Sequence, residues 1–296
     1  MNLAFCLWLW KRAVLHRDAL ELMVHEPYLP FREGSIRQNL VAVVHRLMTI
    51  VLLNAARRVW ISVPAWESRL RPYALARRLE FKWLPVPSTI PRIEDGDGVS
   101  AIRSRYVGAE GVLLAHFGPY IRQISDVMFL LLPTLLRHHC NLSVLLLGKG
   151  SASLYERLVR EHSDLAMRIH APGPLPADEL SRHLSACDVM IQPYPDGVSS
   201  RRTSVMAGLS HGLAIVTTTG PQTESLWAES GAVLLAAAGD VASMRRLTEE
   251  VTADERQRKH LTGAARLLYK ECFDLSATIV ALRGVQNGTD RQLSRV

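Results

Sequence analysis

The residues best equipped for chemistry lie in one stretch, Gln192-Pro193-Tyr194-Pro195-Asp196-Gly197-Val198-Ser199-Ser200-Arg201-Arg202-Thr203-Ser204, running into Val205-Met206-Ala207-Gly208-Leu209-Ser210-His211-Gly212. It supplies one carboxylate on an Asp-Gly turn, a set of hydroxyls and two adjacent guanidiniums. An apolar run, Val189 to Ile191, precedes it, and a helix is expected to start at Thr203 or Ser204. A helix N-terminus offers unpaired amides and the positive end of the dipole, and an arginine fork grips a phosphate through two hydrogen bonds. Ser199, Ser200, Arg201, Arg202 and Thr203 therefore read as a diphosphate site, with a nucleotide as the first candidate ligand. Lys149 stands between Gly148 and Gly150 at the end of another apolar run, Leu142 to Leu147, which suits a second phosphate contact.

Positioning these residues requires strands that end where the loops begin. The pattern predicts a short strand at Leu22 to His25, a long helix from Ser35 to Arg57, a strand at Arg58 to Val63 and a helix at Glu67 to Arg78. Pro85, Pro87 and Pro91 are expected to break regular structure across Phe81 to Pro91, and Glu94-Asp95-Gly96-Asp97-Gly98 reads as a linker. Beyond it, apolar strands at Gly111 to His116, at Leu142 to Leu147, up to His170 and from Val189 alternate with helices. Buried strands alternating with helices imply an α/β fold with a parallel sheet, whose ligands bind beyond the C-terminal strand ends. Two domains are expected, residues 1–92 and 93–296.

Composition narrows the classes. With 48% hydrophobic and 21% charged residues, the 296-residue chain is globular and has room for two domains. Its net charge of +7 fits an anionic ligand or surface, but the basic residues are scattered without a like-charge run, which argues against nucleic acid. Cys6, Cys140, Cys187 and Cys272 are too widely spaced for a zinc site or a disulfide framework. Free thiols suggest a reducing, cytoplasmic location. Leu3 to Trp10 and Val41 to Leu53 are apolar but short of a bilayer span. Both read as core helices, with peripheral contact at the inner face of the membrane as the alternative.

From about Gly111 to Phe273 the chain resembles the donor-binding domain of retaining GT-B glycosyltransferases, in particular family 4. The resemblance rests on Gly148-Lys149-Gly150, Gly173-Pro174-Leu175, and the strand Ala186-Cys187-Asp188-Val189-Met190-Ile191-Gln192-Pro193. It continues through Gly208-Leu209-Ser210-His211-Gly212-Leu213-Ala214-Ile215-Val216, Gly220-Pro221-Gln222-Thr223-Glu224 and Gly239-Asp240. His25-Glu26-Pro27 resembles the strand end of the family's first domain, and Trp83-Leu84-Pro85-Val86-Pro87-Ser88 its lead into the second. Residues 1 to about 92 thus look like the second half of an acceptor domain.

The resemblance implies a Rossmann-type C-terminal domain, a partial N-terminal α/β domain and sugar transfer from a nucleotide-sugar to a glycan, lipid or small-molecule acceptor with retention. It implies catalytic roles for His25 and Asp196, and donor contacts for Gly118, Lys149, Ser199, Ser200, Arg201, Arg202, Thr203 and Glu224. Each residue also has a plainer reading: a core histidine, an Asp-Gly turn, a tight turn at Gly118, a helix-start carboxylate at Glu224. One departure is specific. The family carries two glutamates eight positions apart, and here those positions hold Ser199 and Ala207, or Asp196 and Ser204 in the other register. Arginines and hydroxyls are expected to take over the diphosphate. The only Asp-x-Asp step, Asp95-Gly96-Asp97, falls in the expected linker and not in the donor loop, so no metal or other cofactor is expected. A dead or truncated nucleotide- or partner-binding remnant and a sugar-nucleotide epimerase are the alternatives.

Overall fold

The computed structural model describes residues 2–75 and 77–284. The chain divides into two compact units between Pro85 and Val86, ahead of the expected 92/93 boundary.

The first unit contains α1 (Leu3–Leu15), β1 (Glu21–Val24), α2 (Ile36–Ala55), β2 (Arg58–Ile61), α3 (Trp66–Leu70) and β3 (Glu80–Trp83). Asn2 and Ser35 cap α1 and α2, their side chains accepting from the amides of Phe5 and Gln38. The three strands form a parallel sheet in the order β1-β2-β3. Its core gathers Leu53, Val59, Ile61, Val63, Trp66 and Leu70. Three expectations need correction. The helix expected over Glu67 to Arg78 stops early: α3 passes into a 3-10 turn at Arg71–Ala74, where Pro72 has no amide to donate, and Leu75 then turns to a φ of 52°. The proline-rich stretch expected to be irregular begins with β3, since Glu80 to Trp83 lies ahead of its first proline. The apolar segments of α1 and α2 are helical but not core: only Cys6 is buried in α1, and only Ala42, Leu53 and Ala55 in α2.

The second unit runs α4 (Gly96–Tyr106), β4 (Val112–Phe117), α5 (Arg122–His138), β5 (Leu142–Leu147), α6 (Ser151–Glu161), β6 (Ile169–Gly173), α7 (Ala177–Ser185) and β7 (Val189–Gln192). It continues through α8 (Thr203–His211), β8 (Ala214–Thr219), α9 (Leu226–Glu229), β9 (Val233–Ala237), α10 (Val241–Ala253), α11 (Glu255–Leu268) and α12 (Leu275–Gly284). The expected linker at Glu94 to Gly98 is instead the start of α4, because Asp95 caps the Gly98 amide at 2.9 Å. Six parallel strands lie in the order β6-β5-β4-β7-β8-β9. Every residue of β5 and β7 is buried, as strands covered on both faces must be. Apolar side chains from β4, β5, β7 and β8 pack with α5, α6 and α10 in one core, led by Leu114, Leu131, Leu135, Val144, Leu158 and Val216. At the opposite end from the loops, Asp188 accepts from Arg103 (2.9 Å) and the Leu113 amide (2.8 Å). The Ala-Asp step of the sequence thus ties α4 to β4 and β7 and is architectural. Strand order reverses between β4 and β7, which makes the C-terminal ends of those strands the place for a ligand.

Candidate functional site

Three loops meet at that reversal. Gly118, after β4, has a φ of 148°, and a Cβ there would lie 3.5 Å from Ser204 Oγ in the first turn of α8. Gly148, after β5, has a φ of 114°, and its Cβ would come within 2.7 Å of the Gly118 carbonyl. The positive φ favours glycine at both positions, and at Gly148 the close approach to backbone demands it as well. Gly118 therefore does what its tight-turn reading requires and also brings the β4 loop against the helix start. Lys149 is exposed on the adjoining loop between Gly148 and Gly150.

The loop after β7 carries the charge. Arg201 Nη2 donates to Asp196 Oδ2 at 2.9 Å, and Arg202 Nη2 donates to the other carboxylate oxygen. Arg201 also reaches Gln222 Oε1 at 3.1 Å. The Arg202 guanidinium lies 4.7 Å over the Tyr194 ring. Burial and the neighbouring Arg201 hold the Arg202 pKa below its ordinary value, against the pull of Asp196. Two adjacent, partly buried cations thus meet at one carboxylate. Asp196 organises the two arginines. Arg202 Nε and Ser199 Oγ are buried with no hydrogen-bond partner among the described residues. Unpaired polar atoms of this kind are costly in a native fold, and a ligand would satisfy them.

Glu224 occupies the underside of the same loop. Its carboxylate accepts from the Ser200 amide (3.1 Å), the Ser200 hydroxyl and Trp227 Nε1 (2.7 Å). Burial raises its pKa above the usual carboxylate range despite these donors. The expected donor contact is thus turned inward: Glu224 and Ser200 fix the loop together. Thr203 opens α8 as expected, with Arg202 as the residue before it. Tyr194, which sequence reasoning passed over, is buried and shares a 2.7 Å hydrogen bond with Ser204, and burial pushes its pKa up to about 12. Ser199 and Ala207, at the positions of the missing glutamates, are both fully buried. His25 lies in the first unit, exposed at the end of β1, where its carbonyl accepts from Ser62 Oγ and Trp66 Nε1.

A cavity of about 250 Å³ opens beside Pro193, Tyr194 and Pro195, bounded by Gln123, Thr218 and Asp240. It is smaller than the roughly 300–1,000 Å³ of ordinary ligand pockets, so it would hold only part of a nucleotide-sugar. Among the described residues no group of three His, Cys, Asp or Glu side chains is arranged to hold a metal ion.

Residues 113–254 match the family model described as Glycosyl transferases group 1. The fold is shared with HepE of Anabaena in complex with UDP and glucose, at 14% identity and a TM-score of 0.70, over 97% of this chain and 76% of that one. Sucrose-phosphate synthase from Thermosynechococcus elongatus gives 15% identity and a TM-score of 0.71, over 95% and 71% of the two chains. WaaG, a glycosyltransferase involved in lipopolysaccharide biosynthesis, gives 14% and 0.62, over 97% and 83%. No curated protein sequence matches the chain. The fold is that of GT-B glycosyltransferases, and residues 113–254 of the second unit match the glycosyltransferase group 1 model, which together support a glycosyltransferase.

Proposed function

We propose that the chain transfers a sugar, with retention, from a nucleoside-diphosphate-sugar to a glycan, lipid or small-molecule acceptor. UDP is the first nucleotide to test, because HepE is seen with UDP and with UDP-glucose. The observation that carries the reading is the Asp196–Arg201–Arg202 cluster at the start of α8, beside the unpaired Ser199 hydroxyl. As the bond between the sugar and the diphosphate lengthens, negative charge grows on the leaving phosphate and the sugar becomes oxocarbenium-like. Arg201, Arg202 and the first amides of α8 would meet that charge where it develops, and Lys149 would add a further cation. Glu224 and Tyr194 hold the loop and helix start in place before the donor arrives, so little reorganisation is needed. The acceptor hydroxyl would add to the sugar on the face the diphosphate leaves, its proton passing to the departing phosphate oxygen.

The test is calorimetry of UDP binding to the wild type and to Arg201→Ala with Arg202→Ala. Losing charge-assisted hydrogen bonds to phosphate should weaken binding by about 1.5–3 kcal/mol per contact. Equal affinities would remove the arginines from the site. A second reading, donor binding without turnover, is favoured by the burial of Ser199 and Ala207 where the family places carboxylates. Release of UDP from UDP-glucose in the presence of acceptor extracts separates the two.

A further inference from the structure

We infer that the helix pair α1–α2 is a docking surface for an anionic membrane. Phe5, Trp8 and Leu15 lie exposed on one side of α1, and Leu7, Trp10 and Val14 on another, with Trp8 54% exposed. Along α2, Ile36, Leu40, Val43 and Leu47 are all exposed at spacings of four, three and four residues, a continuous stripe on one helical face. Exposed apolar surface on this scale marks an interaction site.

Charge selects the occupant. Residues 1–85 contain 13 Lys and Arg against 6 Asp and Glu, a net +7, whereas residues 86–296 contain 22 of each. The whole excess charge of the protein therefore sits in the unit with the apolar helices. Neither α1 nor α2 contains a carboxylate, while Lys11, Arg12, Arg37 and Arg46 lie on them; Arg12 pairs with Asp18 just beyond α1 and Arg46 turns into the unit, which leaves Lys11 and Arg37 as the fringe. Apolar stripes carrying tryptophan and fringed by lysine and arginine match an interface of hydrocarbon below and phosphate above. Contrary to the expectation that its apolar segment falls short of a span, α2 is long and apolar enough to cross a bilayer by length and composition, with only 11% of that window buried, but its polar side chains tie it to its own unit. Arg46 donates to the Leu29 carbonyl and the Tyr73 hydroxyl and stacks over Tyr28 and Phe31, and Asn54 donates to the Tyr73 carbonyl. Those bonds keep α2 packed along the unit, so the pair lies in the interface plane with its stripe against the acyl boundary. This inference is independent of the nucleotide-sugar reading.

The test is co-sedimentation of the full chain with vesicles of phosphatidylcholine alone and of phosphatidylcholine mixed with phosphatidylglycerol. Binding to the mixed vesicles, weakened by salt, is expected. Lys11→Ser with Arg37→Ser should reduce it by about fivefold per charge. Leu40→Glu with Val43→Glu should abolish it while circular dichroism stays native, because both side chains are exposed. No binding, or equal binding to both vesicle types, would overturn the inference. So would a soluble dimer by light scattering that the Leu40→Glu, Val43→Glu variant dissolves, since a second copy would then cover the face. UDP calorimetry on the same variants should be unchanged, which separates this result from the fate of the proposed activity.

Discussion

At the residue scale, the site is a set of buried polar groups held in place by other buried polar groups. Glu224 shows how far the consequences reach. Glu224→Gln would present an amide to the two Ser200 donors and to Trp227 Nε1, with only one oxygen left to accept. The loop should loosen, with a loss of about 1–3 kcal/mol in stability by urea titration and a parallel loss of UDP affinity. His116 gives a pH prediction. Both its ring nitrogens are buried without partners among the described residues, and burial lowers its pKa to about 3 from 6.5. The native state keeps the ring neutral while the unfolded chain takes up a proton. Stability from this group is therefore present above pH 6.5 and is lost as pH falls towards 3, by up to about 1.4 kcal/mol per pH unit. Urea titrations at about pH 7, 5.5 and 4.5 should show a shallower acid loss for His116→Phe than for wild type. An unchanged slope would show that His116 is solvated or paired in solution.

At the element scale, the loops work because glycines let backbones touch. Gly197 has a φ of 85°, and a Cβ there would lie 2.4 Å from the Gly220 amide nitrogen. Gly197→Ala should cost about 2–4 kcal/mol, combining φ strain with the clash, and lower the melting temperature by several degrees in a thermal scan. This scale also shows what the sequence made legible. The strands of the second unit could be read because covered parallel strands are unbroken apolar runs, as Leu142 to Leu147 is. The start of α8 could be read from its hydroxyls and arginines. β3 could not, since Glu80-Phe81-Lys82-Trp83 alternates over only four residues beside a cluster of prolines. Nor could the inward turn of Glu224, because its partner Ser200 is 24 residues away and only the pairing of β7 with β8 brings them together. The Asp196 pairing was hidden for a different reason: an Asp-Gly step reads as a turn whether or not its carboxylate faces two arginines. Chelation is informative here too. UDP release should persist in EDTA if side-chain cations alone neutralise the diphosphate; activity lost on chelation and restored by Mg²⁺ or Mn²⁺ would contradict that.

At the scale of the whole molecule, the two units differ in how each is held together. The second has a core of its own across β4, β5, β7 and β8, so residues 86–296 should fold alone and bind UDP as the full chain does, as circular dichroism and calorimetry would check. The division of charge then sets how fast each ligand is found. With 22 cations against 22 anions, residues 86–296 carry no net charge, and a nucleotide would reach the proposed site at Arg201 and Arg202 by diffusion and short-range capture. Its association rate in stopped flow should change little with ionic strength. A unit carrying +7 arrives at an anionic surface by attraction felt from a distance, and that encounter rate should fall steeply as salt shortens the range of its field. One chain would thus meet its two proposed anionic targets under separate kinetic laws, and a rise in salt would slow its arrival at the surface without slowing donor capture.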